Sequence, residues 1–166
     1  MAIYMDADAC PVKEEIYRVA RRYQITVHVV ANCPLRVPTE ELIKLTVVKG
    51  GFDAADDWIA ERIEPGDIAI TADIPLADRC LRRGARVLGP KGIEFNEESM
   101  GDALATRALL DMLRQSGEFR GGPAPFSRSD RSRFLASLDQ VIHSIRRAQR
   151  AAKPSLDEHH HQGGGQ

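Results

Sequence analysis

The chain is expected to fold as an α/β protein around a mainly parallel five-stranded sheet, flanked by helices and carrying a C-terminal helical extension. Two observations carry this expectation. Short apolar or β-branched runs alternate with amphipathic helical stretches over about 90 residues, which is the pattern of parallel strands joined by helical crossovers. Acidic residues also stand directly after two of those runs, where open α/β sheets bind ligands beyond the carboxyl ends of their strands.

Taken in order, residues 2–5 form a short buried strand. Pro11 suits the entry to a helix, in which Ile16, Val19, Ala20 and Tyr23 recur at helical spacing. Residues 25–30 are a β-branched strand ending at Ala31-Asn-Cys-Pro34. A short helix is expected over residues 39–44 and a third strand over 45–48, closed by Lys49-Gly-Gly51. Asp53 is placed to cap the next helix, whose Ala55, Trp58, Ile59 and Ile63 face inward. Residues 67–72 are the fourth strand, 75–83 the following helix with Gly84 just past its end, and 85–88 the fifth strand. Beyond residue 95, a long helix is expected over 97–116 with Met100, Leu104, Ala108 and Met112 on one face. After a Gly/Pro-rich loop, Ser127 or Ser129 caps a last helix to about Arg147, with Phe134, Leu135, Leu138, Val141, Ile142 and Ile145 inward. Residues 1–148 are thus read as a single domain and 149–166 as a disordered tail. The three adjacent histidines in that tail are given no role.

At 166 residues, 43% hydrophobic and 28% charged, the chain has the balance of a soluble protein with a proper core. No apolar run approaches the ~20 residues of a membrane span and no signal peptide is read, so a cytoplasmic protein is expected. Cys10, Cys33 and Cys80 form no C-x-x-C pair, in keeping with reduced thiols. The net charge of −1 hides an asymmetry: residues 1–119 hold 15 Lys/Arg against 20 Asp/Glu, and residues 120–153 hold 8 against 2. An acidic site beside a basic segment suits a cation-dependent enzyme acting on a polyanion, although a solvated helix face explains the same counts.

The acids set the chemistry. Asp6 and Asp8 follow the first strand, Asp56 and Asp57 open a helix, and Asp73 follows the fourth strand. A carboxylate at the end of an apolar strand costs desolvation energy unless positive charge meets it. Several such acids converging on one sheet edge point to a divalent cation, Mg²⁺ or Mn²⁺, held by oxygen ligands. For Asp56 and Asp57 the helix start is a competing explanation, since acids there are favourable without any metal.

Four ordered segments carry a resemblance: Ile3-Tyr-Met-Asp-Ala-Asp-Ala-Cys-Pro-Val-Lys13, Gly51-Phe-Asp-Ala-Ala-Asp-Asp-Trp-Ile-Ala60, Ile70-Thr-Ala-Asp-Ile-Pro-Leu-Ala77 and Gly121-Gly-Pro-Ala-Pro-Phe-Ser127. Together they resemble the YaiI/YqxD family, bacterial proteins of uncharacterised function, over roughly residues 1–146. That family is in turn similar to PIN-like nucleases. The resemblance implies sheet order 3-2-1-4-5 and a carboxylate-held Mg²⁺ or Mn²⁺, with Asp6, Asp56, Asp57 and Asp73 as the metal-holding catalytic residues. Asp8 and Asp53 have no firm counterpart and are expected to stand behind the ligands. Thr71 is expected to orient Asp73 or a water, unless it is simply an inward strand residue.

Lys13 and Lys49 lie near the expected site and are candidates for phosphate contact. Arg128 and Arg131 oppose the dipole of the last helix at its start, which marks them as further nucleic-acid contacts, and Phe126 beside them either stacks a base or anchors the loop. Asn32 ends the second strand, where an ordinary turn explains it as well as a substrate contact.

A metal-dependent phosphodiesterase acting on RNA is therefore the leading expectation. Asp6-Ala-Asp8 also resembles the Asp-x-Asp of aspartyl-phosphate phosphatases, in which the first Asp is the nucleophile, but Cys10 stands where Thr or Val is usual. A PIN-like module that holds RNA or a protein without turnover is the third possibility.

Overall fold

A computed structural model of the protein describes residues 1–51, 53–115, 117 and 125–153. In chain order the elements are β1 (Ala2–Asp6), a 3-10 turn (Ala7–Ala9), α1 (Lys13–Tyr23), β2 (Thr26–Ala31), β3 (Ile43–Val47), α2 (Ala54–Arg62), β4 (Ile68–Ile70), α3 (Ile74–Arg82), β5 (Arg86–Leu88), β6 (Glu94–Phe95), α4 (Glu97–Gln115) and α5 (Arg128–Ala152).

Among the described residues the sheet has six strands, in the order β3-β2-β1-β4-β5-β6. The first five are parallel, in the order 3-2-1-4-5, and β6 adds an antiparallel edge. The strand order runs outward from β1 to β3 on one side and from β4 to β5 on the other, so these two central strands open at a topological switch point.

Strand alternation divides the core into two layers. Ile3, Met5, Ile68 and Ile70 face α1 and α5, packing with Ile16, Val19, Phe134, Leu138 and Ile142. Tyr4, Val30, Ala69 and Val87 face α2 and α3, packing with Ala55, Ile59, Ile63, Leu76 and Cys80. Helix α5 is thus a structural wall of the sheet and not an appendage. Ser127 caps it through a full capping box, accepting from Asp130 N–H while Asp130 accepts from Ser127 N–H at 2.9 Å.

Several local expectations need correction. Residues 39–44 form no helix: β3 begins at Ile43 because its backbone pairs with Val27 on β2, and sheet pairing overrides the local propensity of a Thr-Glu-Glu-Leu run. Strand β6, two residues long, is additional to the five expected. Helix α4 buries Met100 alone; Leu104 and Met112 are exposed because the helix lies mainly against α3. Helix α5 continues past Arg147 through Ala152, so residues 149–152 are helical. Most of the Gly/Pro-rich loop and residues 154–166, including the histidines, lie outside the described residues.

One glycine fixes the loop between β5 and β6. A Cβ on Gly92 would stand 2.8 Å from the Arg133 backbone, closer than any side chain tolerates, so the loop after β5 lies directly on α5. Ser137 Oγ donates to Gly92 O at 2.7 Å and pins the same contact. Among the described residues no helix is long and apolar enough to cross a membrane.

Candidate metal centre

A cleft of about 340 Å³ opens at the carboxyl ends of β1 and β4. Asp6, Asp8 and Cys10 line it from the end of β1, Asn32 from the end of β2, Asp56 from α2, Thr71 and Asp73 from beyond β4, and Pro90 from the loop after β5.

Register explains why the acids meet. Met5 pairs with Ile70, so the next residues along, Asp6 and Thr71, are neighbours on the α2 side of the sheet. Thr71 Oγ1 donates to Asp6 Oδ2 at 3.0 Å and accepts from Asp73 N–H at 3.0 Å. The threonine thereby ties the end of β1 to the start of α3. Asp73 caps α3, its Oδ1 accepting from Leu76 N–H at 2.9 Å. Its Oδ2 has no protein hydrogen bond among the described residues.

The electrostatics are only partly compensated. Burial, then the charges of Asp8 and Asp73, raise the Asp6 carboxyl above the usual range, and the Thr71 hydroxyl only partly offsets this. Asp56 is pushed up to about 6 by burial first and then by Asp73, Asp6 and Asp53, against a weaker opposing pull from Arg79. Burial pushes the Cys10 thiol up to about 11, which makes it a protonated wall of the cleft and not a nucleophile.

Among the described residues, no group of three or more His, Cys, Asp or Glu side chains is closed tightly enough to grip an ion as it stands. The donor set nonetheless has the chemistry of a hard divalent cation: carboxylate oxygens from three elements, with a neighbouring amide and hydroxyl. Mutual repulsion among these carboxylates opposes their closer approach, and a cation between them removes that opposition.

Asp57 does not join the set. It is absent from the cleft lining, and its Oδ1 accepts from Arg79 Nη1 at 2.7 Å on an exposed surface. One residue of helix rotation separates it from Asp56, and Arg79 takes it. Asp53 occupies the N-cap position of α2 but its side chain makes no capping bond, so the expected cap is absent; its charge acts instead on Asp56. Asp8 is exposed and accepts from Asn32 N–H at 3.1 Å and from Asn32 Nδ2 at 2.9 Å. This pair gives Asn32 a place in the cleft beyond an ordinary turn. Pro90 carried no sequence signal; only the packing of the 89–92 loop on α5 brings it to the cleft.

The basic residues divide as well. Lys13, the first residue of α1, is close enough to Cys10 to act on its thiol. Lys49 is exposed in the turn between β3 and α2. Arg128 is exposed at the start of α5, with no hydrogen-bond or ion-pair partner among the described residues. Arg131 is a structural staple: its Nη1 donates to Pro11 O at 2.7 Å and to Glu15 Oε1 at 3.2 Å, while its guanidinium lies 4.9 Å from the Phe126 ring centroid. Phe126 packs against the α1–α5 core and anchors its loop.

The chain matches the family model described as "Uncharacterized BCR, YaiI/YqxD family" over residues 4–144. A UPF0178 protein of Rhodospirillum centenum is 58% identical over 149 residues, covering 87% of this chain and 97% of that protein. A UPF0178 protein of Rhodopseudomonas palustris is 59% identical over 145 residues, covering 87% and 88%. Another from Azorhizobium caulinodans is 53% identical over 148 residues, covering 89% and 93%. No solved structure matches the chain.

Proposed function

The chain belongs to the YaiI/YqxD family, and from the cleft at its sheet edge we propose that it is a metal-dependent phosphodiesterase, using Mg²⁺ or Mn²⁺ to hydrolyse RNA. The observation that carries the reading is the convergence of Asp6, Asp56 and Asp73, from three separate elements, on one cleft at the switch between β1 and β4. The resemblance to PIN-like nucleases supports the same reading.

Asp6, Asp56 and Asp73 are the residues that would hold the ion. Such an ion, when bound, supplies the positive charge that draws in a phosphodiester and acidifies water beside it. The protein's own contribution is positional. Thr71 holds Asp6 in one orientation and fixes the backbone that presents Asp73. Asp8 and Asn32 occupy each other, keeping Asp8 at the rim. Arg131 fastens the start of α5 to Pro11, next to Cys10 in the cleft wall, and Arg128 and Lys13, close in sequence to the two ends of this contact, would meet a polyanion.

The test is incubation of single-stranded RNA with the purified chain and Mn²⁺ or Mg²⁺. Metal-dependent cleavage is expected, reduced at least about 100-fold by Asp6→Asn with the circular dichroism of the fold unchanged. No cleavage across a broad metal screen, or cleavage indifferent to Asp6→Asn, contradicts the proposal.

A further inference from the structure

Helix α4 poses a question that the cleft leaves open. It runs for 19 residues yet buries only Met100, so core formation does not explain its length. Between it and the start of α3 lies a groove of about 600 Å³, and Ala72 and Asp73 line both this groove and the carboxylate cleft. The two cavities therefore share a wall at the residue that would hold the ion.

The groove changes character along its length. Asp73 stands at the cleft end. Ile74, Ala103 and Leu110 give it apolar surface, and Arg107 and Arg114 bring positive charge from α4. Arg114 is 3.7 Å from Asp111 and is spoken for. Arg107 is exposed and has no ion-pair or hydrogen-bond partner among the described residues, so its guanidinium is available to a ligand. Asp102, on the same helix, repels phosphate, which leaves Arg107 as the position for an anionic group.

We propose that this groove receives the single-stranded nucleic acid next to the scissile phosphodiester, with Arg107 binding one of its phosphates. The inference rests on the phosphodiesterase reading and names the substrate form. Arginine matches phosphate geometry with two parallel N–H donors, and the apolar strip below it suits a sugar or base face. The volume is that of a small-ligand pocket, so an unpaired nucleotide enters it and a duplex does not.

Fluorescence anisotropy of a labelled single-stranded RNA tests this in EDTA, where binding is read without hydrolysis. Arg107→Ala in the full chain is expected to weaken binding about tenfold and to lower the salt slope by roughly 0.7. Arg107→Lys is expected to keep most of the salt slope while losing part of the affinity. Arg18→Ala removes an exposed charge on α1 that lines neither cavity, and is expected to bind as the parent does. Binding by Arg107→Ala within about twofold of the parent, equal affinity for duplex, or no binding by the parent overturns the proposal. Cleavage that fails while the Arg107 effect persists overturns the hydrolytic reading alone; cleavage that persists while Arg107→Ala binds normally overturns the groove alone.

Discussion

Two acids at opposite edges of the same sheet meet different fates. Asp67, at the amino end of β4, is buried, and each of its oxygens accepts a backbone N–H: Oδ1 from Ala2 at 2.8 Å and Oδ2 from Glu64 at 3.0 Å. Asp6, at the carboxyl end of β1, meets one hydroxyl and otherwise other carboxylates. Burial alone therefore does not mark a functional acid. Asp67 closes a loop and joins β1 to the turn before β4, whereas Asp6 and Asp56 face mainly the charges of neighbouring carboxylates.

That contrast gives opposite responses to neutralisation. The largest effect is expected at Asp67. Asp67→Ala leaves the Ala2 and Glu64 N–H groups without their acceptors and is expected to cost about 3 kcal/mol in urea unfolding. A loss below about 1 kcal/mol would mean that water replaces the carboxylate and that the two edges differ less than their geometry indicates.

At the other edge, Asp56→Asn is expected to stabilise the metal-free protein at pH 7. The folded-state value of about 6 lies above the ordinary 3.8, so the folded chain binds this proton more tightly than the unfolded chain does. The penalty is absent below pH 3.8, grows as pH rises towards 6, and is constant above it. Solvent reaches the group and screens much of the effect, which leaves about 1 kcal/mol. Unfolding curves in EDTA at pH 4 and pH 7 are expected to show the variant and the parent alike at the first and separated at the second. Separation in the opposite sense would place a cationic partner at Asp56.

The smallest effect belongs to its neighbour. Asp57→Asn removes an exposed ion pair with Arg79 and is expected to change stability by no more than about 0.5 kcal/mol. Its cleavage activity is expected to match the parent's. A collapse of activity would return Asp57 to the ligand set.

That Asp6 and Asp73 line one cleft could be read from the chain because both follow apolar runs that pair as parallel strands, although Asp73 also caps α3. Asp56 and Asp57 could not be separated that way: both sit in the first turn of one helix, and the choice depends on Arg79, which reaches Asp57 from α3. Arg131 looked available from its place at a helix start, and only the packing of α5 on α1 shows that Pro11 and Glu15 already hold it. Strand β6 is two residues long, too short for alternation to register, and the turn before β3 contains helix-forming residues that the pairing with β2 overrides. In α4 the expected apolar face is present in sequence, but burial needs a neighbour, and among its residues only Met100 is fully covered.

Crystals soaked in Mn²⁺ test the central claim most directly. The account predicts anomalous density among Asp6, Asp56 and Asp73, roughly 2.1 Å from their carboxylate oxygens, with Asp57 still on Arg79. Manganese at other sites only, with these three carboxylates unchanged at saturating concentration, would contradict it.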